Sequence, residues 1–210
     1  MDREEITEKR EEITETQEAE GEKPFNLADE LLDWLEAFVF ATFMVLLIFM
    51  FMFRTVVVDG GSMEPTLYNE QRLILTHFGY TPERGDIVVA NCPGLDKIII
   101  KRCIGVEGDT VLIDYATNSI AVNGEEIDQS YLGEPMELKD YIFDDTYRVG
   151  PTSYEYHVPE DTVFVLGDNR NNSRDSRTSE VGFISEDDIL GRAAVRFYKG
   201  DKPGKLGLLK

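Results

Sequence analysis

Between residues 37 and 53 the chain reads AFVFATFMVLLIFMFMF, apolar at every position except Thr42, whose hydroxyl can bond back to its own helix. As a helix rising ~1.5 Å per residue this run is about 26 Å long. That is the short end of what crosses a bilayer core, and Leu35 and residues 56–58 can lengthen it. A buried core helix is the alternative, but a helix apolar on every side suits a membrane span better than the core of a small domain. Just before it, residues 25–36 (FNLADELLDWLE) place Phe25, Leu27, Leu31, Leu32, Trp34 and Leu35 among acids at roughly helical spacing. Asn26 is a candidate N-cap with Asp29 three residues on, and Trp34 suits an interfacial belt. These features predict an amphipathic helix at the membrane surface leading into one transmembrane helix. Residues 1–23 have almost nothing apolar to bury and predict disorder or a solvated, fraying helix.

From residue 55 the period changes from helical to two. Short runs rich in Val, Ile and aromatics occur at 55–58, 72–76, 86–90, 97–101, 110–114, 119–122, 163–166 and 193–198. Turn residues separate them: Asp59-Gly60-Gly61, Pro82 to Gly85, Pro93-Gly94, Gly108-Asp109, Asn123-Gly124 and Gly167-Asp168. Many short strands with frequent turns predict antiparallel β-structure. Asn123-Gly124, between residues 120–122 and 125–127, is a strong hairpin turn. The pattern thus divides the chain into an acidic tail (1–24), a helical anchor segment (25–54) and an all-β domain (55–210). A loop-rich insertion is expected at about 110–160, with 133–156 its most polar and irregular part.

Charge narrows the partners. The 210 residues carry a formal net charge of -20, which disfavours nucleic acid, because phosphate binding needs clustered Lys and Arg. Anionic headgroups also repel such a chain, so the apolar segment has to hold it at a bilayer. The flanks of that segment offer only Lys23 and Arg54 to the positive-inside rule, which leaves orientation open. The acidic stretch before it and the lack of an A-x-A pattern after it point to an uncleaved anchor. Cys92 and Cys103 match no usual zinc spacing; two unpaired thiols are the favoured reading and one disulfide between them the alternative, while His77 and His157 are too few and too distant for a metal site. No metal or organic cofactor is expected.

Three segments can carry chemistry. Residues 60–67 (GGSMEPTL) display Ser62 after two glycines that permit unusual backbone shapes, with Pro65 fixing the turn, an arrangement that suits a nucleophile with a neighbouring N–H as oxyanion donor. By itself it is also an ordinary Gly-Ser loop. A serine needs a base, and neither histidine lies in a motif. A lysine serves if burial strips its charge. Lys101 ends the run 98–101 (IIIK), sharing a strand face with Ile99 while Ile98 and Ile100 share the other; both faces read as buried there, although a lysine capping a strand at the surface gives the same pattern. Lys97, on the same face, is the weaker candidate. Third, residues 167–177 (GDNRNNSRDSR) contain no apolar side chain, which usually means an exposed loop. Asp168, Arg170, Asp175 and Arg177 can pair with one another and make the loop a rigid brace.

Taken in order, the apolar segment, GGSMEPTL, RGDIVV from Arg84, KRCIGVEGD from Lys101 and GDNRNNSRDSR from Gly167 resemble the bacterial type I signal peptidases over residues 37–198. The resemblance implies an all-β catalytic domain like those of signal peptidases and repressor-type autoproteases, behind one transmembrane helix. It implies Ser62 as nucleophile, Lys101 as general base, a hydrogen bond from Ser173 to that lysine, and an Asp175–Arg177 ion pair supporting the loop. The N–H of Ser62 would be one oxyanion donor, beside Gly61. In some members a serine two residues earlier supplies a second. Here that position is Gly60, as in the Gram-positive-like branch. The family further implies a cytoplasmic tail, an outward-facing β domain in the cell membrane, and secretory preproteins cut after small-x-small sequences, with an association with the secretion translocon. A self-cleaving membrane regulatory protease, an inactive membrane scaffold and a Ser-His protease using His77 or His157 are the rival readings.

Overall fold

The computed structural model describes residues 27–139, 143–197 and 207–209. The expectations for the acidic tail, for Phe25 and Asn26, and for Tyr198 as a strand end fall outside these residues. The chain divides into two compact units, residues 1–47 and 48–210.

A single helix, α1 (Leu27–Met52), covers both the stretch expected as an interfacial helix and most of the stretch expected as a span, with no break between them. No Gly or Pro interrupts residues 27–52, so nothing breaks the backbone hydrogen bonds at the change from amphipathic to wholly apolar sequence. Within it, Glu30–Met50 is long and apolar enough to cross a membrane, with a mean hydropathy of 2.1. Its large side chains are exposed, among them Trp34, Phe38, Phe40 and Met50.

The β unit starts without a spacer. Strand β1 (Phe53–Val57) is followed by β2 (Arg72–Thr76), β3 (Ile87–Cys92), β4 (Lys97–Gly105), β5 (Thr110–Asp114), β6 (Ser119–Val122) and β7 (Glu125–Glu126). Then come β8 (Ser153–His157), β9 (Thr162–Leu166), β10 (Ile184–Ser185), β11 (Ile189–Phe197) and β12 (Gly207–Leu208). They form two antiparallel sheets. The larger has the order β1-β2-β11-β3-β4-β9-β10, with β12 on β11; the smaller has the order β7-β6-β5-β8. The Asn123-Gly124 turn joins β6 to β7, with φ of 54° and 84° at the two residues, the left-handed backbone that such a hairpin requires.

The stretch expected to be loop-rich, about 110–160, therefore contains a sheet of its own. Strand β8 looks like loop in the sequence because SYEYH is largely polar. Its tyrosines supply the period-two pattern: Tyr154 and Tyr156 are buried and their neighbours are not. They join Val111, Ile113, Ile120, Phe164 and Leu166 in the core beneath the smaller sheet. A second core, of Val58, Met63, Leu67, Leu73, Leu75, Ile87 and Val89, lies under the turn that carries Ser62. Cys92 and Cys103 are buried and unpaired, as expected. Burial pushes the Cys103 thiol up to about 12, so it stays protonated.

One topological detail prepares the site. β4 pairs with β3 from Lys97 to Arg102, but with β9 only from Arg102 onward. β1 is an edge strand, paired only with β2. Two backbone edges are thus left without a sheet partner on one side, at residues 97–101 of β4 and along β1.

Candidate active site

The turn after β1 is shaped by its anchors. Met63 and Leu67 are both inserted in the core, 1% and 0% exposed, and the Leu67 N–H donates to Met63 O at 2.8 Å. Gly60 has φ +89°, a backbone shape that side chains resist, and its N–H donates to Asn69 Oδ1 at 2.8 Å. Between these fixed points Ser62 is held out of the core. Its carbonyl accepts from Asn169 N at 3.0 Å, and Asn169 Nδ2 donates to Gly61 O at 3.1 Å. The loop 167–177 thus grips the serine turn by its backbone.

Lys101 arrives from β4. Its side chain is 4% exposed, and Nζ lies 2.7 Å from Ser62 Oγ and 3.2 Å from Ile100 O. Burial lowers the ammonium pKa to about 8, against the pull of Asp175, and the positive charges of Lys97 and Arg177 lower it further. The two strand faces are not equivalent, contrary to the sequence reading. Ile99 is 6% exposed, but Ile98 is 54% exposed, because that side of β4 opens onto a cleft.

That cleft has a volume of about 710 Å³ and is flanked by residues 56–63, by Leu95 and residues 97–101, and by residues 171–174. Ser62 and Lys101 sit within it, and Val56, Val57, Ile98 and Ile100 provide apolar walls. Neither His77 nor His157 lines it. His157 is an exposed strand-end residue beside Glu155.

The brace behind the pair is built from buried charge, wired differently from the expectation that its four charged residues pair among themselves. Asp175 and Arg177 do pair, with Arg177 Nε donating to Asp175 Oδ1 at 2.8 Å and both side chains almost wholly buried. Burial works to raise the Asp175 carboxyl. The Arg177 charge, its hydrogen bonds and the Gly167 N–H at 3.0 Å outweigh it and hold the group below the usual carboxylate range. Asp168, however, takes Arg102, the residue after Lys101, at 2.9 and 2.7 Å, and also accepts from Thr66 Oγ1 at 2.6 Å. One carboxylate therefore ties the lysine strand to the serine turn. Arg170 turns away, donating to Gly167 O, to Gln129 Oε1 and to Tyr131 OH, while the Arg102 guanidinium lies 4.3 Å from the Tyr131 ring centre. Arg102, Thr66, Gln129 and Tyr131 were not singled out from sequence. Arg102 directly after Lys101 was the one available signal, since a charge interrupting an apolar strand needs a buried partner.

Ser173 departs from the implied role. Its Oγ is buried without a hydrogen-bond partner among the described residues, and the contacts of Lys101 Nζ are to Ser62 and Ile100. What Ser173 does touch is Gly167. A Cβ added there would stand 2.2 Å from Ser173 Oγ and 2.5 Å from Ser62 O. Gly167 is therefore the contact point of the two loops. Gly167→Ala is expected to destabilise the β unit by about 1–3 kcal/mol, as overpacking does. It should also reduce activity by displacing Ser62, and thermal melting alongside turnover checks both effects.

The family described as "Signal peptidase, peptidase S26" matches residues 31–198. The chain is 38% identical over 176 residues to Signal peptidase I P of Bacillus subtilis subsp. natto, covering 82% of this chain and 91% of that protein. It is 39% identical over 176 residues to Signal peptidase I S of Bacillus subtilis strain 168, covering 80% and 89%. A solved signal peptidase I from Enterococcus faecalis V583 is 31% identical, with a TM-score of 0.41 over 54% of this chain and 97% of that one.

Proposed function

Because the chain belongs to the signal peptidase family, peptidase S26, a family of serine endopeptidases that remove signal peptides from preproteins, we propose that Ser62 is its nucleophile and Lys101 its general base. The observation that carries this reading is the 2.7 Å approach of a buried lysine, its ammonium disfavoured by that burial, to a serine hydroxyl in an open cleft.

In this reading Lys101 in its neutral form takes the proton of Ser62 Oγ as the oxygen attacks the scissile carbonyl. The N–H of Ser62 faces the developing oxyanion; Gly60 has no side chain to add, and its own N–H is engaged by Asn69. The new Lys101 ammonium then gives its proton to the departing amine, which leaves as the N-terminus of the mature protein. The ester on Ser62 is cleared by water, with neutral Lys101 again accepting the proton. Asp175 and Arg177 keep the loop behind the pair rigid. The leader lies extended against the unpaired edges of β1 and β4, with small residues first and third before the cut. The apolar helix holds the enzyme in the cell membrane with the tail in the cytoplasm and the β unit outside, where tethering raises its effective concentration near emerging cleavage sites. The secretion translocon delivers those substrates.

The test is the pH dependence of kcat/KM for a leader-bearing preprotein, with the cut position read by mass spectrometry. Only the neutral amine serves as base, so a pKa near 8 means activity rising tenfold per pH unit below that value and levelling above it. A profile flat from pH 6 to pH 10 contradicts the assignment.

A further inference from the structure

Lys97 shares a strand side with Lys101 and lines the same cleft, yet no step of the reaction uses it. It is exposed, while Ile99 and Lys101 beyond it are buried. Among the described residues it makes no hydrogen bond or ion pair. Its charge is still close enough to Lys101 to disfavour the ammonium there. The other cationic side chain on the rim, Arg174, is engaged by Glu180 at 3.3 Å, and Asp59 is the acid on the opposite flank.

The direction of the cleft follows from the sheet. Four successive antiparallel pairings, β1-β2, β2-β11, β11-β3 and β3-β4, make β1 and β4 run the same way. The β1 flank, which enters the cleft at Val56, and the β4 flank, which starts at Lys97, therefore both run toward Ser62 and Lys101. β1 follows the apolar helix directly in the chain, and on the proposed reading the leader, whose apolar part lies in the bilayer, enters from the strand starts. An extended strand advances ~3.3 Å per residue, so a peptide lying along β4 with its scissile residue at Lys101 has the residue four positions upstream beside Lys97.

We propose that Lys97 is a specificity-determining residue that reads the charge of the leader about five positions before the cut, favouring an acidic side chain there and disfavouring a basic one. The proposal rests on the reading of this cleft as the signal-peptide site.

The experiment uses the full chain in detergent and three preproteins differing only at the fifth residue before the cut, carrying Asp, Ala or Lys, with the fourth and sixth positions varied likewise. What is compared is the ratio of kcat/KM for the Asp and Lys substrates. The ratio cancels any effect of Lys97 on Lys101, which slows or speeds all substrates alike. An Asp-over-Lys preference of about tenfold is expected at low salt, from opposite and like charges meeting at an exposed site. It should fall at high salt, approach one in Lys97→Gln and invert in Lys97→Glu. The same ratio in wild type and Lys97→Glu at all three positions overturns the proposal, as does a ratio that responds to Asp59→Asn but not to Lys97. Failure of the underlying reading looks different: no substrate is then cut after its small-x-small site, whatever its charge.

Discussion

Lys101→Ala is expected to lower kcat/KM by about 10⁴-fold while the β unit stays folded. The size follows from what a positioned base supplies to proton transfer, which is lost entirely when no other group can reach the serine. Among the described residues only Lys101 is bonded to the serine hydroxyl: neither histidine lines the cleft, Lys97 is exposed at its rim, Asp59 lies on the opposite flank, and Asp175 is committed to Arg177 and the Gly167 N–H. The stability effect should be small because two effects oppose each other. Alanine removes the packing of the lysine stem, but it also removes an ammonium whose lowered pKa shows that burial disfavours its charge. Ser62→Ala should cost as much, and the double variant no more than either single one, since the two act as a unit. Retention of more than a few per cent of activity by Lys101→Ala, with an unchanged melting curve, would mean that another group is the base.

Asp175→Ala should produce the largest loss of stability of any single change at the site, about 3–5 kcal/mol, the cost of leaving one partner of a buried ion pair alone. Arg177, almost wholly buried, is then left without its carboxylate, and the Gly167 N–H loses its acceptor. For a domain of this size the melting temperature should fall by about 10 °C. Activity should fall as well, because Gly167 is where the loop abuts Ser62. Removing both charges, as in Asp175→Leu with Arg177→Met, should recover part of the stability, since an apolar pair leaves no uncompensated charge. The pH dependence has a definite sign. The Asp175 carboxyl is held below its unfolded value. Its contribution is therefore present in full above the unfolded pKa and is lost as pH falls through the folded one. Wild type should lose stability on that acid limb more steeply than Asp175→Ala, which chemical denaturation between pH 3 and pH 7 measures.

Much of this was legible along the chain, for identifiable reasons. Residues 37–53 announce a helix because no other element tolerates an apolar run of that length, and 72–76, 110–114 and 119–122 alternate cleanly enough to give their strands residue for residue. Ser62 and Lys101 are legible from the order of their motifs, and the fold brings them to 2.7 Å. What stayed hidden depends on partners distant in sequence. β8 buries tyrosines that look polar in a string of letters. β4 continues past Lys101 through Arg102, whose charge is tolerable only because Asp168 meets it from another loop. Ile98 reads as buried but is exposed because its side of β4 opens onto the cleft. Gly167 looks like a turn glycine, and its close approach to Ser62 and Ser173 appears only when the two loops are folded together.

The most direct test of the account is cleavage of a leader-bearing preprotein in detergent by the wild-type chain and by Ser62→Ala, with both fragments weighed by mass spectrometry. The account predicts that wild type releases a mature protein cut after a small-x-small sequence and that Ser62→Ala leaves the preprotein intact. Cleavage by Ser62→Ala at the same position would contradict it, because the hydroxyl beside Lys101 would then not be the nucleophile.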